Sequence, residues 1–289
     1  MRATFEEKTY ENYFNAELDR KTTIFFPLGQ VQEGSLGFDA SGFSRNRRLW
    51  RMLGHPFWFF PHFDGVELRE IADEMEHFLR RILREIQRMK ANIIFQYKKP
   101  EKITIPSGKE WSNWNEPYFR YDIYKEQQEL LMHIHNTFGN RTLVIYASPA
   151  IIDVNKLVEV HMRGELIEKS NFKKAFEINQ HHRNTYIEEG TYSIACSEPE
   201  RIDDFDLIEE LNNLGEKNSD NYGGNYNIDF INNFRNEIES IMSENQFYSK
   251  SFTELNKSLD KFYEYKILYS FLVMRNFRQL TGNQWLIKI

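Results

Sequence analysis

Cysteine is all but missing. Cys196 stands alone among 289 residues, so a single chain can form neither an internal disulfide nor a thiolate metal cluster, in keeping with a reducing compartment. Long apolar runs are missing too: nothing approaches the roughly 20 residues that cross a bilayer. The opening MRATFEEKTYENYF has neither the basic start nor the apolar centre of a signal peptide. The expectation is a cytoplasmic protein with no membrane partner. No glycine-rich phosphate loop of the Walker or dinucleotide kind occurs, and no serine nucleophile elbow, which leaves ATP hydrolysis and acyl transfer without support. Positive charge is not in excess either. The 37 Lys and Arg stand against 43 Asp and Glu, for a net charge of −6, which opposes wholesale electrostatic binding of nucleic acid and leaves that task to local clusters.

What the chain has in quantity is aromatic and apolar surface. Hydrophobic residues at 40% and aromatics at 15% are too many for a disordered chain, and the length can bury a sizeable core. Two basic clusters stand out: SRNRRLWR, with Arg45, Arg47 and Arg48, and FLRRILREIQRMK, with Arg81, Arg84 and Arg88.

Periodicity predicts a helix over 4–19 with Thr4 as its cap, then two short strands joined by a turn in KTTIFFPLGQVQEGSLGFDASGF. A long amphipathic helix is predicted from Val66 to Lys90, a strand in ANIIFQYK, and a polar loop around Trp111 and Trp114. KEQQELLMHIHNTFG reads as a helix closed by Gly139 and RTLVIYASPA as a strand; strand, helix, strand signals an α/β sheet. A short helix in VNKLVEVHMRGEL, strands and turns through 173–200, and a helix in DDFDLIEELNNL follow. Residues 216–227 have linker composition, and helical segments are predicted over 227–244 and 252–280.

The chemistry centres on IIFQYKKP. In a strand, residues two apart share a face, so Gln96 and Lys98 project together while Phe95 and Tyr97 face away. Burying an amide and an ammonium without partners costs roughly 1–3 kcal/mol each. Either the pair lies on an edge strand with one solvated face, or it needs a partner. Asp39 in SLGFDASG is the obvious one, unless it is only a turn residue.

GFDA, IIFQYK and the preceding acidic helix YENYF resemble the PD-(D/E)XK nuclease superfamily in its D…QxK form, and within it the restriction-like endonuclease modules of bacterial anti-phage effectors. The likeness spans about the first 150 residues, with residues 40–92 lying between the two strands. It implies a mixed α+β sheet, a restriction-endonuclease-like nuclease domain over 1–215 with an insertion at about 44–90, and a helical appendage over 228–289 for oligomerisation or docking to a partner subunit. It further implies that Asp39 is the principal ligand of a Mg²⁺ or Mn²⁺ ion, that Gln96 adds its side-chain oxygen, and that Lys98 orients or helps deprotonate the attacking water or neutralises phosphate charge. Glu11 completes the site, chosen from Glu6, Glu7, Glu11 and Glu17 because YENYF matches the family's helix best. The residue types suit the ion, since Mg²⁺ takes a few hard oxygen ligands and keeps several waters. Arg45, Arg47, Arg48, Arg81, Arg84 and Arg88 are the candidate DNA contacts. The expected activity is endonucleolytic cleavage of DNA; the alternatives are cleavage of RNA and a non-catalytic DNA-binding or scaffolding subunit of the same fold.

Five histidines (His133, His135, His161, His181 and His182) do not make a metal motif. Adjacent histidines in a strand face opposite ways, and HIH is not a helical ligand pair.

Overall fold

The computed structural model describes residues 1–25, 68–215 and 225–289. Asp39, Arg45, Arg47 and Arg48 lie outside the described residues, as do the second predicted N-terminal strand and positions 216–224 of the predicted linker. Among the described residues the helices are α1 (Glu7–Lys21), α2 (Ala72–Glu85), α3 (Lys125–Phe138), α4 (Val154–Arg163), α5 (Leu207–Asn213), α6 (Tyr226–Glu244), α7 (Ser249–Lys257) and α8 (Lys266–Thr281). The strands are β1 (Ile24–Phe25), β2 (Ala91–Tyr97), β3 (Glu101–Ile103), β4 (Tyr118–Asp122), β5 (Thr142–Pro149), β6 (Ser170–Lys174), β7 (Arg183–Tyr186), β8 (Ser193–Ala195), β9 (Glu200–Ile202) and β10 (Gln284–Lys288). Together they make a mixed α/β protein with two five-stranded sheets and a largely helical C-terminal region. No helix among the described residues is long and apolar enough to cross a membrane.

The chain divides into two compact units. The first holds the described residues 1–25, 90–215 and 281–289, and the second 68–89 and 225–280. In the first, a mixed sheet runs in the order β1-β10-β2-β5-β6, with β2 and β5 parallel and the other pairs antiparallel. A parallel pair cannot be closed by a hairpin and needs a crossover; α3 lies within it, and stops where Gly139 takes φ +52. All seven residues of β2 are buried, as expected of a strand covered on both faces. The second sheet, β3-β4-β7-β8-β9, is antiparallel throughout. Its first two strands fall in the stretch predicted as a polar loop: Tyr118 and Phe119 are buried, but three- and five-residue strands show too little alternation to be seen.

Helix α1 covers one face of the mixed sheet. Tyr10, Phe14 and Leu18 recur every four residues and so form a stripe, and all three are fully buried. Tyr10 meets the Tyr97 ring at 5.7 Å, and Phe14 meets Phe95 and Tyr97 at 5.5 Å each. Full burial of one such side chain stabilises by about 1.5–3 kcal/mol. The helix starts at Glu7 rather than residue 4, because the Thr4 hydroxyl is engaged elsewhere: it accepts from Val154 N at 2.9 Å and donates to Ile152 O at 3.2 Å.

In the second unit, the helix predicted over Val66–Lys90 is shorter. A 3-10 turn, Leu68–Ile71, precedes α2, and Ile86 is already extended with ψ 157. The reason lies far along the chain. Buried Asn227, in the first turn of α6, donates through Nδ2 to Leu83 O at 2.8 Å and Gln87 O at 3.2 Å and accepts from Met89 N at 2.9 Å. One amide thereby satisfies backbone groups that the end of a helix leaves without intrahelical partners. The segment predicted as one helix over 252–280 is broken into α7, a 3-10 turn at Asp260–Phe262 and α8. The new N-terminus is satisfied by Glu76 of α2, whose Oε2 accepts from Ile267 N at 3.0 Å and Leu268 N at 2.9 Å. The C-terminal segment predicted as helical to residue 289 instead ends in β10, which enters the mixed sheet between β1 and β2.

Candidate functional site

Strand β2 is central, flanked by β10 and β5. Gln96 and Lys98 are therefore not the solvated face of an edge strand: they are 3% and 6% exposed. Alternation sends Phe95 and Tyr97 toward α1 and turns Gln96 to the opposite face, which α3 covers.

The partner that both polar groups require is Gln127 of α3. Lys98 Nζ donates to Gln127 Oε1 at 2.7 Å. Gln127 Nε2 in turn donates to Gln96 Oε1 at 2.6 Å and to Thr281 O at 3.2 Å, and Gln96 Nε2 donates to Tyr97 O at 2.9 Å. Two aromatic rings border the ammonium, Tyr124 at 5.0 Å and Tyr146 at 5.5 Å, within reach of a cation–π attraction. Tyr124 is 63% exposed and marks where this buried group approaches solvent. The phenol of Tyr146 donates to Gln128 Oε1 at 2.8 Å, so α3 grips β5 as well as β2.

Burial lowers the Lys98 pKa to about 8, against the opposing pull of the Glu7 and Asp122 carboxylates. Burial likewise raises Glu7, opposed by Lys98. Glu7 Oε2 also accepts from Lys99 N at 3.3 Å. Of the four glutamates considered in the first helix, Glu7 is the one whose charge reaches Lys98. Glu11 has its carboxylate against Lys8 at 3.1 Å, on a helix that packs on the Phe95–Tyr97 face rather than the Gln96 face. Its pKa is raised by burial, opposed by Lys8. Glu6 pairs with Lys99 at 3.5 Å, and Glu17 is fully buried against the backbone of Leu166 and Ile167. The structure thus brings Gln96 and Lys98 together through Gln127 and pairs Glu11 with Lys8.

A divalent cation does not fit the described residues as they stand. The oxygen Gln96 would offer already accepts from Gln127, Glu11 is paired with Lys8, and no group of three His, Cys, Asp or Glu side chains among the described residues could hold a metal ion. Asp39 lies outside the described residues.

Sequence reasoning did not single out Gln127, Asp122 or Asn283. Gln127 carried a signal: it falls on the stripe of Leu130, Leu131, Ile134 and Phe138, all buried, where a polar residue needs a partner. Asn283 carried none. It is fully buried just before β10, neither its Oδ1 nor its Nδ2 has a partner, and continuing the register from the Gln284–Phe95 pair sets it beside Gln96.

The other candidates are dispersed. In the second unit, Arg81 lies 5.3 Å over the Phe78 ring, Arg84 is exposed, and Arg88 stacks on Tyr226 at 4.2 Å. Trp114 is core, its Nε1 donating to Thr185 Oγ1 at 3.0 Å. His161 stacks on Tyr13 at 4.1 Å, His135 on Phe176 at 5.0 Å, and His181 pairs with Glu200 at 3.2 Å.

Comparison with family models, with curated proteins and with solved structures returns no match for this chain.

The depressed Lys98 pKa has a measurable sign. Below pH 8 both folded and unfolded chains hold the proton, whereas between about 8 and the ordinary value of 10.5 the unfolded chain binds more protons, so Lys98 adds stability as pH rises. In Lys98→Met that increment disappears. Chemical denaturation should show wild type gaining about 2 kcal/mol on the variant between pH 7 and pH 10; a difference independent of pH would contradict the burial of this ammonium.

Proposed function

We propose that the chain is a nuclease that hydrolyses phosphodiester bonds in DNA, built on a restriction-endonuclease-like core and serving as an effector subunit in bacterial anti-phage defence. The observation that carries this reading is the placement of Lys98 with Gln96 at the carboxyl end of a central strand that runs parallel to its neighbour. In α/β sheets such ends are where ligands gather. At neutral pH a lysine titrating at about 8 keeps its proton, so it meets a scissile phosphate as a cation in a water-poor setting, where charge stabilisation is strongest. Gln96 orients a group beside it, and Glu7 and Asp122 hold the ammonium's field. Mg²⁺ or Mn²⁺ dependence rests on Asp39, with no step here assigned to the ion. Arg45, Arg47 and Arg48, with Arg81 and Arg84, would supply phosphate contacts, and the helical C-terminal region would serve self-association or a partner subunit.

One observation favours a second reading, a non-catalytic DNA-binding or scaffolding subunit: the Gln96 oxygen is closed off by Gln127. The experiment that separates them incubates purified protein with supercoiled plasmid and matched single-stranded and duplex RNA, with Mg²⁺, Mn²⁺ or chelator. Metal-dependent nicking of plasmid that disappears in Asp39→Ala supports the nuclease. Salt-sensitive binding without cleavage, unchanged in Asp39→Ala, supports the binding subunit, and selective loss of the RNA would reassign the substrate.

A further inference from the structure

Gln127 lies between two groups of opposite hydrogen-bonding character, the Lys98 ammonium and the Gln96 oxygen. An ammonium has only donors, so it must face the amide oxygen; the Gln96 Oε1 has only lone pairs, so it must face the amide nitrogen. The orientation of Gln127 is thereby fixed by chemistry at both ends, and its second Nε2 proton is taken by Thr281 O. Rotating the amide by half a turn would set nitrogen against ammonium and oxygen against oxygen. One side chain on α3 therefore ties together the central strand, the lysine beyond it and the segment that leads into β10.

We propose that Gln127 is a positioning residue of the nuclease site, aiming the Lys98 ammonium and holding the Gln96 oxygen until a ligand displaces it. The inference rests on the nuclease reading for its consequence but not for its geometry. Lys98 ends a long, flexible stem with three donors, and the Gln127 oxygen is the hydrogen-bond acceptor that fixes its direction. The Gln96 oxygen becomes available to an incoming water, hydroxyl or cation only when the Gln127 nitrogen lets go. Closure at rest and opening on substrate binding then follow from the same pair of hydrogen bonds. Misaiming a catalytic group by about 1 Å can cost on the order of a hundredfold in rate, so a residue that touches no reacting atom can still have a large kinetic effect.

Two replacements separate the two ends. Gln127→Met keeps the length and removes all three hydrogen bonds. Gln127→Glu keeps an acceptor for Lys98 and removes the donor to Gln96 and to Thr281 O. Under single-turnover conditions on plasmid, Gln127→Met is expected to slow cleavage about ten- to a hundredfold while the half-saturating DNA concentration stays within about threefold, and Gln127→Glu to recover part of that loss. A second readout is independent of activity. In side-chain amide NMR spectra, the Gln96 signal, assigned by its loss in Gln96→Met, should move and exchange its protons faster in both Gln127 variants, while backbone signals stay those of the folded protein. Native cleavage rates in Gln127→Met and Gln127→Glu, or an unmoved Gln96 signal, would overturn the assignment. If wild type cleaves nothing and the Gln96 signal still moves, the nuclease reading falls while the positioning contact stands.

Discussion

Lys98→Ala is expected to reduce plasmid cleavage by at least about a hundredfold, the usual loss when a preorganised charge-stabilising donor is removed, while leaving a folded protein. The two halves of that expectation have one cause. Lys98 is buried and its proton is held loosely, so the folded state gains little from the charge itself. Alanine leaves one acceptor, Gln127 Oε1, without its donor, a cost of about 1–3 kcal/mol. Lys98→Arg should rescue little, because a planar fork of five donors does not match a single amide oxygen between two aromatic rings. Circular dichroism and the thermal midpoint check the fold, and the rate of nicking checks the function. Activity within about tenfold of wild type would remove Lys98 from the chemistry.

Glu17→Ala should be strongly destabilising, by about 2–5 kcal/mol, the cost of leaving two buried N–H groups unsatisfied. Its carboxylate is fully buried and accepts from Leu166 N at 2.7 Å and Ile167 N at 3.2 Å, with Lys21 at 2.9 Å. It ties α1, and so the helix that covers Phe95 and Tyr97, to the turn after α4. Removing it strands two buried N–H groups, while Lys21 keeps its second partner, Glu168, at 3.2 Å. Glu17→Gln keeps one acceptor and should lose about half as much. Urea denaturation of the two variants measures the difference, and a loss under about 1 kcal/mol for Glu17→Ala would show that water replaces the carboxylate.

The parts of this fold that the sequence announces are those governed by local period. The stripe Tyr10, Phe14 and Leu18, the run ANIIFQY and the helix closed by Gly139 all declare themselves within a dozen residues. What escapes is decided by distant partners. Asn227 ends α2, Glu76 opens α8, and β10 takes the place beside β2 that local pattern could not assign. The site divides the same way. Gln96 and Lys98 are visible because alternation sets two polar groups on one face of an apolar strand. Their partner shows only as a polar residue on the buried stripe of α3, and its pairing with them stays hidden because Gln127 reaches them only once the crossover has brought α3 over the sheet. Glu7 bears on Lys98 because the start of α1 passes the end of β2, where its carboxylate also accepts from Lys99 N.

Strand β10 imposes an order of events during synthesis. Trp285 and Asn92, joined side chain to side chain across the β10–β2 pair, stand 193 residues apart. At about 5–20 residues per second, β2 leaves the ribosome roughly 10–40 s before the strand that must pair with it. For that interval one edge of β2 lacks its native neighbour, and Thr281, whose carbonyl accepts from Gln127, has not been made. The arrangement around Gln127 is therefore completed only once the segment leading into β10 has been made.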